Sequence, residues 1–284
     1  MVFKNQSRLT QITPGSTIRV IGDRASGKTT YLTALTCLRD APDSLVKKVI
    51  PINDETENMI REAKECLEQK QEIQPTSYGD NGIEKSYFFK IEFKEKFPSF
   101  NSQPEIMKIE CKDYPGEFFR DLVEKKNPKL LEKYIKDAVE ATGILFLIDG
   151  TARRKDSYYA SCLQEFLVKL DRLTPKNTKT RRIAVALTKC DLSELWIHTD
   201  NPKEKILARF EGVHGQLQNF DNLNVEYFAT SAFGMLGSER ETSNSTIIKS
   251  DDNGTRAVIQ ESDSKLWRPF GLIEPLYWLY TGKR

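Results

Sequence analysis

Histidine is almost missing from this chain: His198 and His214 are the only two among 284 residues, and they form no His-x-x-x-His pair. A zinc site is therefore not expected. Five cysteines, Cys37, Cys66, Cys111, Cys162 and Cys190, are odd in number and never spaced Cys-x-x-Cys. They read as reduced thiols of a cytoplasmic protein rather than as a disulfide framework. Long apolar runs are lacking too. The longest, Gly143 to Ile148, has a strand's length rather than a bilayer's, and the first residues mix in Lys4, Asn5, Gln6 and Arg8. Neither a transmembrane segment nor a secretory leader is expected. Charge of one sign is also absent: 43 basic against 41 acidic residues leave a formal net charge of +2, too little to imply a nucleic-acid or membrane surface. Basic clusters such as Arg153-Arg154-Lys155 read as solvated faces.

What the chain does have is a set of apolar runs, each ended by a short polar signature. Thr17-Ile18-Arg19-Val20-Ile21 reads as a buried strand, and Gly22-Asp23-Arg24-Ala25-Ser26-Gly27-Lys28-Thr29 follows it in the pattern Gly-x-x-x-x-Gly-Lys-[Ser/Thr]. Gly22 and Gly27 permit backbone angles that a Cβ would obstruct, so successive N–H groups can turn around phosphates. The next helix, with Thr30 in its first turn, adds its own free N–H groups. Lys28 would reach the β- and γ-phosphates, and the Thr29 hydroxyl would ligate magnesium.

Ile106 to Lys112 alternates like a strand with one covered face and delivers Asp113-Tyr114-Pro115-Gly116. By itself that tetrapeptide is a good turn. Downstream of a phosphate loop, Asp113 can hold magnesium through water, and Gly116 can offer its N–H to a γ-phosphate. Arg182 to Leu187 is another buried-strand pattern and leads into Thr188-Lys189-Cys190-Asp191. Asp191 could accept from N1 and N2 of guanine, which adenine cannot reciprocate, while the Lys189 stem would lie along the base. Ser231-Ala232 ends the run Val225 to Thr230, where the Ala232 N–H could meet guanine O6.

With these four segments in this order, the chain resembles the Ras-like, TRAFAC-class P-loop GTPases over about residues 15–284. More narrowly, it is similar to the bacterial double-GTPase type of conflict systems. That likeness rests on the helical stretch Asp54 to Gln71, Pro75-Thr76 after it, and Glu274-Pro275-Leu276-Tyr277-Trp278-Leu279 near the end. The resemblance implies an α/β G domain with a mostly parallel six-stranded sheet, helices on both faces, and enlargement by insertions. It places Thr76 in switch I, closing on magnesium and γ-phosphate, and makes Asp113 to Gly116 switch II. Thr56 competes for that switch I role but falls within the helical stretch. One departure matters. Glu117 stands where most relatives carry Gln, and an ionised Glu can only accept a hydrogen bond and repels the substrate's charge. Hydrolysis is therefore expected to be slow unless assisted.

The expected organisation is an N-terminal extension (1–14) and a single G domain (15–284). Within that domain lie a helical switch I insertion (about 40–75), a polar insertion (about 237–265) and a C-terminal helix (about 269–281). The polar insertion is compatible with either a mobile segment or a hairpin around Asn253-Gly254. The implied activity is binding of GTP/GDP with magnesium and hydrolysis of GTP. The catalytic set would be Lys28, Thr76, Gly116 and Glu117. Arg24, Arg120 and Arg153 are candidates for transition-state charge, as is an arginine supplied in trans. Expected partners are a protein effector or activating protein, a second GTPase or a second copy of the chain, without specific nucleic acid. Two other classes stay open: a GTP-binding scaffold or sensor without useful turnover, and an ATPase or nucleotide kinase, which Asp191 opposes.

Overall fold

The β-branched run Ser16–Gly22 forms strand β1 and lies inside a seven-stranded sheet. The other strands are β2 (Val46–Pro51), β3 (Ser86–Phe93), β4 (Ile106–Asp113), β5 (Gly143–Asp149), β6 (Arg181–Thr188) and β7 (Leu223–Ala229), in the order β2-β3-β4-β1-β5-β6-β7. Strands β4, β1, β5, β6 and β7 run parallel, while β3 is antiparallel to both β2 and β4. The computed structural model describes residues 16–40, 45–69, 71, 85–94, 105–175, 180–196, 201–236, 242–249, 255–261 and 268–283. The 1–14 extension and Thr76 fall outside these residues.

Helices cover both faces because the central strands are apolar on both sides. On one face α1 (Lys28–Ala34), α2 (Asp54–Glu68) and α9 (Ile273–Thr281) pack on Ile18, Val20, Phe89, Ile91, Leu145 and Leu147. On the other, α3 (Glu117–Glu124), α4 (Pro128–Glu140), α5 (Asp156–Leu173), α7 (Pro202–Arg209) and α8 (Glu211–Gln218) pack on Ile21, Ile144, Phe146, Ile148, Val185 and Leu187. A short α6 (Ser193–Trp196) follows the Asp191 segment. None of the described helices is long and apolar enough to cross a membrane.

The sheet has one strand more than the six expected. The extra strand, β2, sits at the edge inside the stretch read as a purely helical insertion. Its apolar residues, Val46, Val49 and Ile50, do not alternate, because a register irregularity between Val46 and Lys48 breaks the two-residue period. Pro51 at its end is tolerated because an edge strand need not donate on both sides. In the polar insertion, β8 (Met235–Leu236) pairs with β9 (Thr242–Ser243), and β10 (Ser245–Lys249) pairs with β11 (Thr255–Ile259). The β10–β11 pair is antiparallel, with Lys249 opposite Thr255; Asn253-Gly254, where a hairpin turn is expected, lies outside the described residues. The last helix starts four residues later than the expected 269. The backbone of Phe270 is instead committed to Ser231, with N–H···O bonds of 3.0 Å in both directions.

The parallel strands β1, β4, β5, β6 and β7 end at Gly22, Asp113, Asp149, Thr188 and Ala229, all at one edge of the sheet. In open α/β sheets that carboxyl edge is where ligands bind.

Candidate functional site

The loop from Gly22 to Thr29 turns tightly over the end of β1. A Cβ at Gly22 would stand 2.5 Å from the Leu147 carbonyl oxygen and 2.7 Å from Ser26 Oγ, so the loop cannot accept a side chain there. Gly27 closes the turn at φ +85°, a left-handed conformation that suits glycine, and hands the chain to α1. Lys28 is 6% exposed, and its Nζ donates to the carbonyls of Gly22 (3.1 Å) and Asp23 (3.0 Å). Burial lowers the pKa of its ammonium below the ordinary lysine value, against the opposing pull of Asp113, Asp23 and Glu117. Lys155 pairs with Asp23 at 2.7 Å. From β6, the Thr188 hydroxyl donates to the Ser26 carbonyl at 2.9 Å.

At the end of β4, Asp113 is buried and accepts from Thr29 Oγ1 at 3.0 Å. The residue after it is pinned. Tyr114 donates its phenol to Asp137 Oδ2 (2.6 Å) and lies over Tyr134 and Phe118 in edge-on contacts. Asp137, on α4, also accepts from Arg19 (2.5 and 2.7 Å) and Lys112 (2.5 Å). Burial alone would raise the Asp137 carboxyl, but the hydrogen bonds from Arg19, Lys112 and Tyr114 outweigh it and hold it below its usual value. With Tyr114 fixed, Gly116 reaches the phosphate loop: a Cβ there would stand 2.6 Å from Arg24 Cα and 2.7 Å from its N. Glu117 then opens α3, and its Oε2 is buried with no hydrogen-bond partner among the described residues, as is Ser26 Oγ.

The third cluster lies beyond β6. Lys189 takes a left-handed backbone (φ 61°), and its Nζ reaches Asp149 Oδ2 at the end of β5, 2.6 Å away. Cys190 faces inward; burial pushes its thiol up to about 12, which makes it an inert spacer. Asp191 is 3% exposed and accepts from Ser231 Oγ (2.5 Å), Ser243 Oγ (2.6 Å) and Ser245 Oγ (3.0 Å). The Ser231 to Gly234 loop is fixed by the Phe270 pairing and by the Gly234 N–H, which donates to Ser231 Oγ at 2.8 Å. Ala232 follows on the same loop, partly buried against the first core.

The tertiary fold thus gathers Gly22 to Thr30, Asp113 to Glu117, Thr188 to Asp191 and Ser231-Ala232 at one rim. Thr56 lies inside α2, fully buried, and its hydroxyl accepts the Phe88 N–H at 2.8 Å, which commits it to packing. Arg24 and Arg153 are exposed, and Arg120 lies 3.9 Å from both Asp121 and Glu124. Two participants, Ser243 and Ser245, carry no signal in the sequence. Asp149 had a visible signal, an acid ending an apolar strand at the ligand edge, but nothing marked Lys189 as its partner. Ser243 and Ser245 sit in a serine-rich stretch where no one hydroxyl stands out.

The family model described as Double-GTPase 2 matches residues 16–249. The chain belongs to that family. Double-GTPase 2 membership accords with the sheet order, the phosphate loop and the base-motif loop, and the architecture is a P-loop GTPase fold with insertions. No curated protein matches the chain. Among solved structures, it is similar to the signal recognition particle receptor SRb-GTP/SRX complex from Chaetomium thermophilum at 16% identity and a TM-score of 0.42, covering 79% of this chain and 94% of that one. It is also similar to the Ski7 GTPase-like domain of S. cerevisiae bound to GDP and inorganic phosphate, at 12% identity and a TM-score of 0.41, covering 80% of this chain and 45% of that one. A third similar structure, the small COPII coat GTPase SAR1 from Encephalitozoon cuniculi in complex with GDP, has 14% identity and a TM-score of 0.31, covering 78% of this chain and 70% of that one.

Proposed function

We propose that this chain binds GTP with magnesium at the sheet edge and hydrolyses it to GDP and phosphate, acting as a nucleotide-dependent switch. The observation that carries this reading is the hydrogen bond from Thr188 to the Ser26 carbonyl. It joins the loop suited to phosphates with the loop suited to a purine.

The residues fit the ligand. The cradle under Gly22 has no room for a Cβ, and Ser26 Oγ and Glu117 Oε2 are buried polar atoms awaiting partners. In the proposed complex, Lys28 leaves the loop carbonyls for the β- and γ-phosphates, and the loop N–H groups close around them. Thr29 and Asp113 are the residues that would hold magnesium, whose charge would neutralise the polyphosphate. Thr76 would join them from switch I. Gly116 offers its N–H to the γ-phosphate from a position already against Arg24. Water then bonds to the γ-phosphorus as the bridging P–O bond breaks, GDP leaves with the bonding pair, and the water's proton passes to an oxygen of the phosphate formed. Glu117 can accept a hydrogen bond from that water but cannot donate to phosphate, so unaided turnover is slow. Transition-state charge would come from Arg24, Arg120 or Arg153, or from an arginine supplied in trans by an activating protein, a second GTPase or a second copy. Asp191 and Ala232 read the base, Lys189 covers it, and Asp149 holds Lys189 in place.

Competition binding of GTP against ATP tests the guanine assignment, and multiple-turnover phosphate release with Lys28→Ala as blank tests hydrolysis. GTP should win by more than a hundredfold, and phosphate should appear slowly, faster in Glu117→Gln. Equal binding of ATP would refute the reading. GTP binding without phosphate release would favour the second reading, a GTP-binding scaffold, which the acidic Glu117 supports.

A further inference from the structure

Asp191 carries more hydrogen bonds than a carboxylate waiting for guanine can afford. Its two oxygens offer about four in-plane acceptor positions. Ser231 takes one on Oδ1, while the Ser243 and Ser245 hydroxyls both lie against Oδ2, at 2.6 and 3.0 Å, and 2.7 Å from each other, so that their two protons serve Oδ2 and the bond between them. The N1–H and N2–H edge of guanine asks for one position on each oxygen. Among the described residues Oδ1 keeps one position open, while two serine oxygens crowd Oδ2.

The serines are held there by construction. Asn244 between them is fully buried, and its Nδ2 donates to the carbonyls of Phe233 (3.1 Å) and Glu261 (3.0 Å). Its Oδ1 accepts the Glu261 N–H at 2.8 Å, and its own N–H donates to the Gly234 carbonyl at 2.9 Å. Gln260 Nε2 fastens the Ser245 carbonyl at 2.9 Å. The Ser243–Ser245 segment is thus locked between the Ser231 to Gly234 loop and the end of β11, with its hydroxyls against Asp191. A serine bond to the Asp191 carboxylate is charge-assisted and stronger than a neutral one.

We propose that Ser243 and Ser245 set base specificity by competing with the exocyclic 2-amino group of guanine for Asp191 Oδ2. This rests on the guanine reading of Asp191 given above. The base is then read mainly through N1–H at Oδ1, and a hypoxanthine base, which keeps N1–H but lacks the 2-amino group, binds nearly as well as guanine. Alanine at both serines vacates Oδ2 and restores two-point reading.

The test is equilibrium binding of GDP and inosine diphosphate, with magnesium, to the full chain and to Ser243→Ala/Ser245→Ala. The wild type should favour GDP by no more than about threefold, and the double variant should raise that preference about tenfold by tightening GDP alone. The ratio is read on one protein sample, so a reduced folded fraction cancels; the single variants Ser243→Ala and Ser245→Ala should each move it part-way. A strong GDP preference in the wild type, with both nucleotides weakened in the variants, would make the serines supports of Asp191 and overturn the competition while leaving the guanine reading intact. Failure of folded wild-type protein to bind either nucleotide would remove both.

Discussion

Lys28 shows what the site costs the free protein. Its ammonium is buried against backbone carbonyls, and burial depresses its pKa. For a cation so shifted, the protonated form opposes folding at every pH below the lowered value, and that penalty fades only as pH rises through it. Lys28→Met should therefore stabilise the nucleotide-free chain at pH 7 by about 1 kcal/mol while abolishing the rise in melting temperature that GDP gives the wild type. Thermal unfolding with and without GDP checks both halves. Asp137 has the opposite sign. Its carboxyl is held below the usual value by Arg19, Lys112 and Tyr114, so it contributes stability above about pH 4 that is lost as pH falls through the lowered value. Asp137→Asn should cost about 3 kcal/mol at pH 7, because Arg19 and Lys112 lose their shared charge, and the difference from wild type should shrink toward pH 3 in urea titrations. Lys28 could be read from its motif. Asp137 could not, because nothing in α4 marks one acid among several as the partner of β1 and β4.

Elements carry the switch. The contact of Gly116 with Arg24 joins the start of α3 to the phosphate loop with no space for a methyl group. Gly116→Ala should push the segment away, so that GDP still binds within about threefold of wild type while GTP loses at least tenfold, measured by competition with a non-hydrolysable analogue. The strands before each signature were legible because buried parallel strands are continuous apolar runs. The antiparallel pairing of β3 with β4 and the α2 start at Asp54 were legible for similar reasons, the latter from the Asn53 cap, whose Oδ1 accepts the Thr56 N–H at 3.2 Å. Strand β2 was not, since its irregular register hides the two-residue period. The segment before α9 is apolar enough to read as helix, but the Phe270 backbone pairs with Ser231 and Gly271 adopts φ +67°, with Ala229 O in the space a Cβ would need.

At the scale of the whole molecule, α9 closes one face of the sheet, and Phe270 just ahead of it pairs with Ser231 of the base loop. Leu276 is fully buried among the strands, and Arg182 of β6 donates to the Leu279 carbonyl at 2.5 Å, capping the helix end. The terminal helix therefore has a packing role here. Leu276→Ala should lower global stability by about 3 kcal/mol, seen as the same shift of the urea midpoint by fluorescence and by circular dichroism. The sequence by itself determined which chemistry the chain carries: glycines, a lysine, hydroxyls and carboxylates at the ends of apolar runs, because local composition dictates where a strand stops and what its next loop can do. Only the tertiary structure decided how those loops meet. Thr188 and Ser26 lie 162 residues apart, Ser243 and Asp191 lie 52 apart, and their contacts follow from strand order and burial, which are cooperative properties of the folded sheet that no local stretch encodes.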